Sequence, residues 1–171
     1  GVGKTTIAKA IYNTIAHKFD GSCFLANVRE YSDQHGGLVD LQNTLLSTIV
    51  RQKELKINNV HEGNTLLRRT LRNKRILLIL DDVNTLDQLD TLAGAPDWFG
   101  CGSKIIITTR DKRLLTAHEV NPIYKVGELD DHEGCELFSL YAFKKKKNHD
   151  DDEKFWISTI VRYAHGLPLA L

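Results

Sequence analysis

The hexapeptide Gly1-Val2-Gly3-Lys4-Thr5-Thr6 limits the possible folds more sharply than any other stretch of the chain. In the phosphate-binding spacing G-x-x-x-x-G-K-S/T, Gly3, Lys4 and Thr5 fill the last three fixed places, and the first fixed glycine is expected before residue 1. Each residue type answers a chemical need. Backbone N–H groups must come close to phosphate oxygens, and a Cβ at Gly3 would obstruct them. Lys4 would bring a point charge to the β- and γ-phosphates, and the Thr5 hydroxyl can ligate Mg²⁺. A helix has to follow, because its free N–H groups and positive dipole end complete an anion site. Ile7, Ala8, Ile11, Ile15 and Phe19 recur near one face at helical spacing and supply that helix.

Downstream, short apolar runs alternate with helical patterns. Residues 22–28 read as a short buried strand, 29–37 as a polar loop, and the recurrence of Leu38, Leu41, Leu45, Leu46, Ile49 and Val50 as a helix. Residues 53–61 read as a surface loop, and Leu66, Leu67 and Leu71 as a helix ending near Asn73. The run Ile76-Leu77-Leu78-Ile79-Leu80 is what a strand buried on both faces looks like. A helix to Leu92 and a loop through Gly94, Pro96 and Gly100 lead to a second buried strand over 104–110. A short helix over 113–118 and an extended stretch over 122–126 follow. Beyond Gly127 the character changes: 129–143 and 153–164 both read as helices, with Asp130 or Asp131 capping the first and residues 150–152 the second. The alternation predicts a doubly wound parallel sheet over 1–127, covered on both faces, followed by a helical subdomain over 128–171.

In open parallel sheets, ligands sit beyond the carboxyl ends of the strands. Asp81 and Asp82 close one apolar run there, and Thr108, Thr109 and Arg110 close the other. With Lys4 and Thr5 they would converge on one phosphate crevice. Asp81 is the expected Mg²⁺ partner, mostly through water. Asp82 could polarise an attacking water, and Arg110 could sense the γ-phosphate or stabilise charge on it. Taken singly, the acids could be a solvated strand end and Arg110 a surface ion pair; their order after a phosphate loop argues for the joint reading.

Composition excludes little but bounds the class. A net charge of +1, with 42% apolar and 26% charged residues, describes an ordinary globular chain and points to neither nucleic acid nor a membrane surface. Cys23, Cys101 and Cys135 are odd in number and widely spaced, which fits reduced thiols. The absence of Met suits an internal fragment. The run of four lysines at 144–147 reads as a solvated loop rather than a localisation signal, since the acids at 150–153 nearly neutralise it. His132 and Cys135 lack the second pair a zinc site needs, and Trp98, Phe99 and Trp156 read as packing residues. From the residues alone, Pro168 reads as a helix-entry proline.

The segments GVGKTT at 1–6, FLANVRE at 24–30, RILLILDDV at 75–83, GSKIIITTR at 102–110, YKVGELDDHEGCELFSLYAF at 124–143 and GLPLAL at 166–171 stand in one order. Together they resemble the NB-ARC nucleotide-binding domain of plant NLR disease-resistance proteins, a branch of the STAND P-loop ATPases. FLANVRE, and Asn84 rather than Trp after DDV, resemble the subclass with an N-terminal TIR domain. The resemblance implies a P-loop NTPase sheet whose first strand precedes residue 1, central and beside the sensor strand, so the isolated chain is expected to fold poorly. It implies that residues 128–171 begin the helical ARC1 subdomain. It also implies a cytoplasmic or nucleocytoplasmic switch, resting with ADP and active with ATP, with slow hydrolysis and Mg²⁺ as cofactor. Gly1, Val2, Gly3, Lys4, Thr5 and Thr6 would bind phosphate, with Thr5 and Asp81 at the metal. Asp82 would be the second acid, Arg110 the sensor, and Pro168 would pack near the adenine. Partners would be the TIR and leucine-rich-repeat domains of the same receptor, with homo-oligomerisation on activation and no direct contact with nucleic acid or the bilayer interior. The rivals are an AAA+-like or other P-loop ATPase with rapid turnover, and a scaffold that never releases ADP.

Overall fold

The computed structural model describes residues 1–50, 56–143 and 150–170. The lysine run at 144–147 and the start of the loop expected at 53–61 lie outside the described residues. The chain divides into two compact units, Thr5–Ile123 and Gly1–Lys4 with Tyr124–Leu171.

The larger unit is built on a parallel sheet of β1 (Gly21–Leu25), β2 (Ile76–Val83) and β3 (Lys104–Thr109), in the order β1-β2-β3. β2 lies between the other two, and Ile76, Leu77, Leu78, Ile79 and Leu80 are all buried. That is why this segment reads as an unbroken apolar run: neither of its faces meets water. β3 is an edge of the described sheet, and Ile105, Ile106 and Ile107 are only half-buried. Helices α1 (Lys4–Ile15), α2 (Val28–Ser32), α3 (Gly37–Val50), α4 (Val60–Leu71), α5 (Leu86–Leu92) and α6 (Lys112–Ala117) complete the alternating pattern. α3 packs on β1, α4 and α5. Leu45, Leu46, Leu67, Leu71, Leu78 and Leu89 form the centre of the core between them. Cys23 belongs to that core, and burial pushes its thiol up to about 11, which fits an inert packing residue.

Three expectations are corrected in this unit. β1 stops at Leu25, not residue 28, because Asn27 adopts a left-handed backbone (φ 51°) and starts α2. Val28, expected in the strand, is instead the first residue of α2 and fully buried. Part of the loop expected over 29–37 is thus helical; five residues are too few to show a helical period. α4 begins at Val60, inside the expected surface loop, with the Asn59 side chain accepting from the Glu62 N–H at 2.9 Å. Its polar first turn hides it from a hydrophobic pattern.

The smaller unit holds α7 (Asp131–Ala142) and α8 (Asp151–Ala164), packed on each other. Asp130 caps α7 in a reciprocal box with Glu133, and Asp150 caps α8. Gly134 permits the close crossing, since a Cβ there would fall 2.6 Å from Val161 Cγ1. Residues 122–126, expected to be extended, join no strand among the described residues. Pro168 opens no helix either: residues 168–170 form turns.

Candidate functional site

The site in the larger unit begins with the fixed threonine. Thr5 is the second residue of α1, and its hydroxyl lies 2.9 Å from both carboxylate oxygens of Asp81. Asp81 is buried near the carboxyl end of β2. The Thr108 hydroxyl donates to Asp81 Oδ1 at 2.6 Å and accepts from the Asp82 N–H at 2.9 Å. Two hydroxyls thus take up a carboxylate that burial would otherwise leave costly.

Register explains how neighbouring acids serve different places. Leu80 pairs with Ile107 and Val83 with Thr109, so Asp81 and Asp82 together oppose the single residue Thr108. This is a β-bulge, a device that re-aims side chains. Asp82 takes a left-handed backbone there, at φ 59°. Such a conformation in a residue other than glycine is strained and clusters at functional sites. Asp81 is turned into the interior, whereas Asp82 stays partly open and meets two arginines. Arg29 Nη2 lies 2.9 Å from Asp82 Oδ2, and Arg110 Nε lies 3.5 Å from Oδ1. Of the residues expected to converge at the carboxyl edge, the structure joins Thr5, Asp81, Asp82, Thr108 and Arg110 through these contacts. The sequence reading missed Arg29. The available signal was Asn27, a residue type that tolerates the left-handed region, placed where the first buried strand ends.

The remaining predicted residues lie in the smaller unit, apart from Thr6, which is exposed on the first turn of α1. Gly3 has φ 82°, a conformation that disfavours any side chain, and a Cβ on it would stand 3.9 Å from Pro168 Cγ. A Cβ on Gly1 would stand 3.5 Å from Leu169 Cδ1. The glycine loop and the 168–169 turn therefore adjoin. Lys4 is half-buried and opens α1. A separate hollow of about 420 Å³, bordered by Phe24, Ala26, Tyr31, Gln34, Asp40 and Thr44, contains none of the predicted site residues.

The Thr108 geometry carries a stability prediction. Thr108→Val keeps the shape but removes the donor to Asp81 and the acceptor for the Asp82 N–H. It is expected to lower unfolding free energy by about 1–3 kcal/mol, read from the urea midpoint, while Thr108→Ser stays near wild type. Equal stability of the two variants would remove Thr108 from the support of the acids.

A parallel α/β sheet with a Gly-Lys-Thr helix start, whose threonine meets a buried acid at the end of an inner strand, defines a nucleotide-binding fold of the P-loop NTPase type. The NB-ARC domain family matches residues 1–148, and the chain belongs to it. It is 45% identical to the TMV resistance protein N of Nicotiana glutinosa, over all of this chain and 15% of that protein. It is 43% identical to the disease resistance protein RPV1 of Vitis rotundifolia, over all of this chain and 12% of that protein. A probable disease resistance protein RPP1 of Arabidopsis thaliana is 38% identical, with 14% of its length covered. The resemblance read from the six ordered segments is borne out, and the chain spans only a small part of each relative's length.

Proposed function

We infer that this chain is the ADP/ATP switch module of a plant intracellular immune receptor, of the kind that carries TIR and leucine-rich-repeat domains. The observation that carries the reading is the Thr5–Asp81–Thr108 cluster beside an Asp82 that two arginines share. A hydroxyl and a carboxylate at 2.9 Å are the donor types Mg²⁺ takes from proteins, so Thr5 and Asp81 fit as its holders. When bound, Mg²⁺ would neutralise charge on the β- and γ-phosphates. Lys4 and the N–H groups following Gly1 and Gly3 bind phosphate oxygens, and Pro168 packs near the adenine. Asp82 orients the attacking water, and Arg110 reads the γ-phosphate. Both arginines engage Asp82, which suits a slow switch more than a rapid ATPase: the carboxylate must be disengaged before it can act on water. Homo-oligomerisation on activation, and residence in the cytoplasm or nucleus, belong to the same proposal. Among the described residues no helix is long and apolar enough to cross a membrane.

The test is nucleotide content, exchange and turnover of the full-length protein. ADP is expected to co-purify and to exchange for ATP. Hydrolysis is expected on the scale of unassisted switch NTPases, about 10⁻⁴–10⁻² s⁻¹. Sustained turnover well above about 1 s⁻¹ would favour the rapid ATPase. ADP that never exchanges would favour the scaffold, and a protein that binds neither nucleotide would end the reading.

A further inference from the structure

Arg29 is the second residue of α2, just beyond the carboxyl end of β1, and Arg110 follows β3. β1 and β3 flank β2, so the carboxylate of Asp82 is approached by guanidiniums from both neighbouring strands. The two contacts are unequal. Arg29 is close, at 2.9 Å from Oδ2, whereas Arg110 Nε stands 3.5 Å from Oδ1. The Arg29 side chain is 41% exposed and that of Arg110 73%. Ion pairs this open add little to folding stability. Their consequence lies in what they leave each partner free to do.

We propose that Arg29 is a positioning residue for the reading of the γ-phosphate: by balancing the charge of Asp82 from its Oδ2 side it weakens the hold of that carboxylate on Arg110. The inference rests on the role assigned above to Arg110. A guanidinium facing a carboxylate with both oxygens available forms two parallel charge-assisted bonds, the strongest pairing open to it. With Arg29 in place, the negative charge of Asp82 is already balanced. Arg110 is then only loosely tethered and can exchange Asp82 for a γ-phosphate oxygen at small cost. Without Arg29, Arg110 falls back onto both oxygens of Asp82 and must break a stronger pair to reach ATP. ADP lacks the γ-phosphate, so its affinity does not depend on that exchange. The sign of the effect follows: Arg29 favours ATP over ADP without touching either nucleotide.

The experiment measures ADP and non-hydrolysable ATP affinities of the full-length protein by calorimetry at fixed salt, with thermal melts of each nucleotide-free variant. Arg29→Ala should lower the preference for the ATP analogue by about three- to fivefold at unchanged ADP affinity. Arg29→Lys should retain most of the preference, because one ammonium still balances the charge of Asp82. On an Asp82→Asn background, adding Arg29→Ala should change nothing further, since the shared anion is gone. An unchanged or raised ATP preference in Arg29→Ala would overturn the proposal. So would equal loss of both nucleotides, or an effect that persists without the Asp82 charge. Failure of the wild-type protein to bind nucleotide would instead strike the functional reading, which separates the two.

Discussion

Lys4→Ala is expected to lower the affinity of the full-length protein for ATP and ADP together, by about tenfold or more. The expectation starts from local structure. Lys4 opens α1, and the first turn of that helix contains no acidic residue. Its free N–H groups and positive dipole end are therefore not countered by a carboxylate of the same turn. Gly3, at φ 82°, gives the backbone the turn that brings the chain into the helix without a side chain in the way. Lys4 adds a full charge at this point, and a charge-assisted contact to phosphate is worth about 1.5–3 kcal/mol. Because the β-phosphate is common to both nucleotides, the loss should be shared. Lys4→Arg should not rescue fully, since a planar fork does not reproduce a compact ammonium. Calorimetric affinities equal to wild type in Lys4→Ala would remove Lys4 from the phosphate site.

The parts of this molecule that were legible in the sequence are those whose physics is local. β2 announces itself because both faces are buried, so five consecutive apolar residues need no period to be recognised. The caps of α7 and α8 were readable to within a residue or two, as Asp130 or Asp131 and as residues 150–152, because a carboxylate before a helix has one obvious use. Asp81, Asp82 and Arg110 could be placed at the carboxyl edge because they belong to the polar ends of two apolar runs. What stayed hidden depends on pairing between distant segments. The bulge that separates the surroundings of Asp81 and Asp82 exists only in the register of β2 against β3. Arg29 looked like any surface arginine, because its partner stands on another strand. Thr108 was visible as part of a polar edge, but its double role, donor to one acid and acceptor from the next, is a property of the bulge. α2 escaped because it is shorter than two helical turns.

Arg110→Ala is expected to lower the affinity for ATP by about tenfold or more while leaving that for ADP within about twofold. A two-state protein responds only to a ligand that binds its states differently, so a switch between ADP and ATP needs a group that reads the γ-phosphate. Among the predicted site residues Arg110 is the one suited to it. It follows β3, its side chain is 73% exposed, and it approaches Asp82 no nearer than 3.5 Å, so little binds it in place. A guanidinium can present two parallel donors to phosphate oxygens, worth more than one neutral hydrogen bond. Pro168 provides the contrast. It adjoins Gly3, at the loop proposed to hold phosphates shared by both nucleotides, and it is assigned to the adenine, also shared. Pro168→Leu should therefore weaken ADP and ATP together. Measuring ADP and a non-hydrolysable ATP on both variants sets one prediction against the other. If Arg110→Ala lost both nucleotides equally, Arg110 would be a residue that retains ADP through contacts of the resting state, and another group would have to read the γ-phosphate.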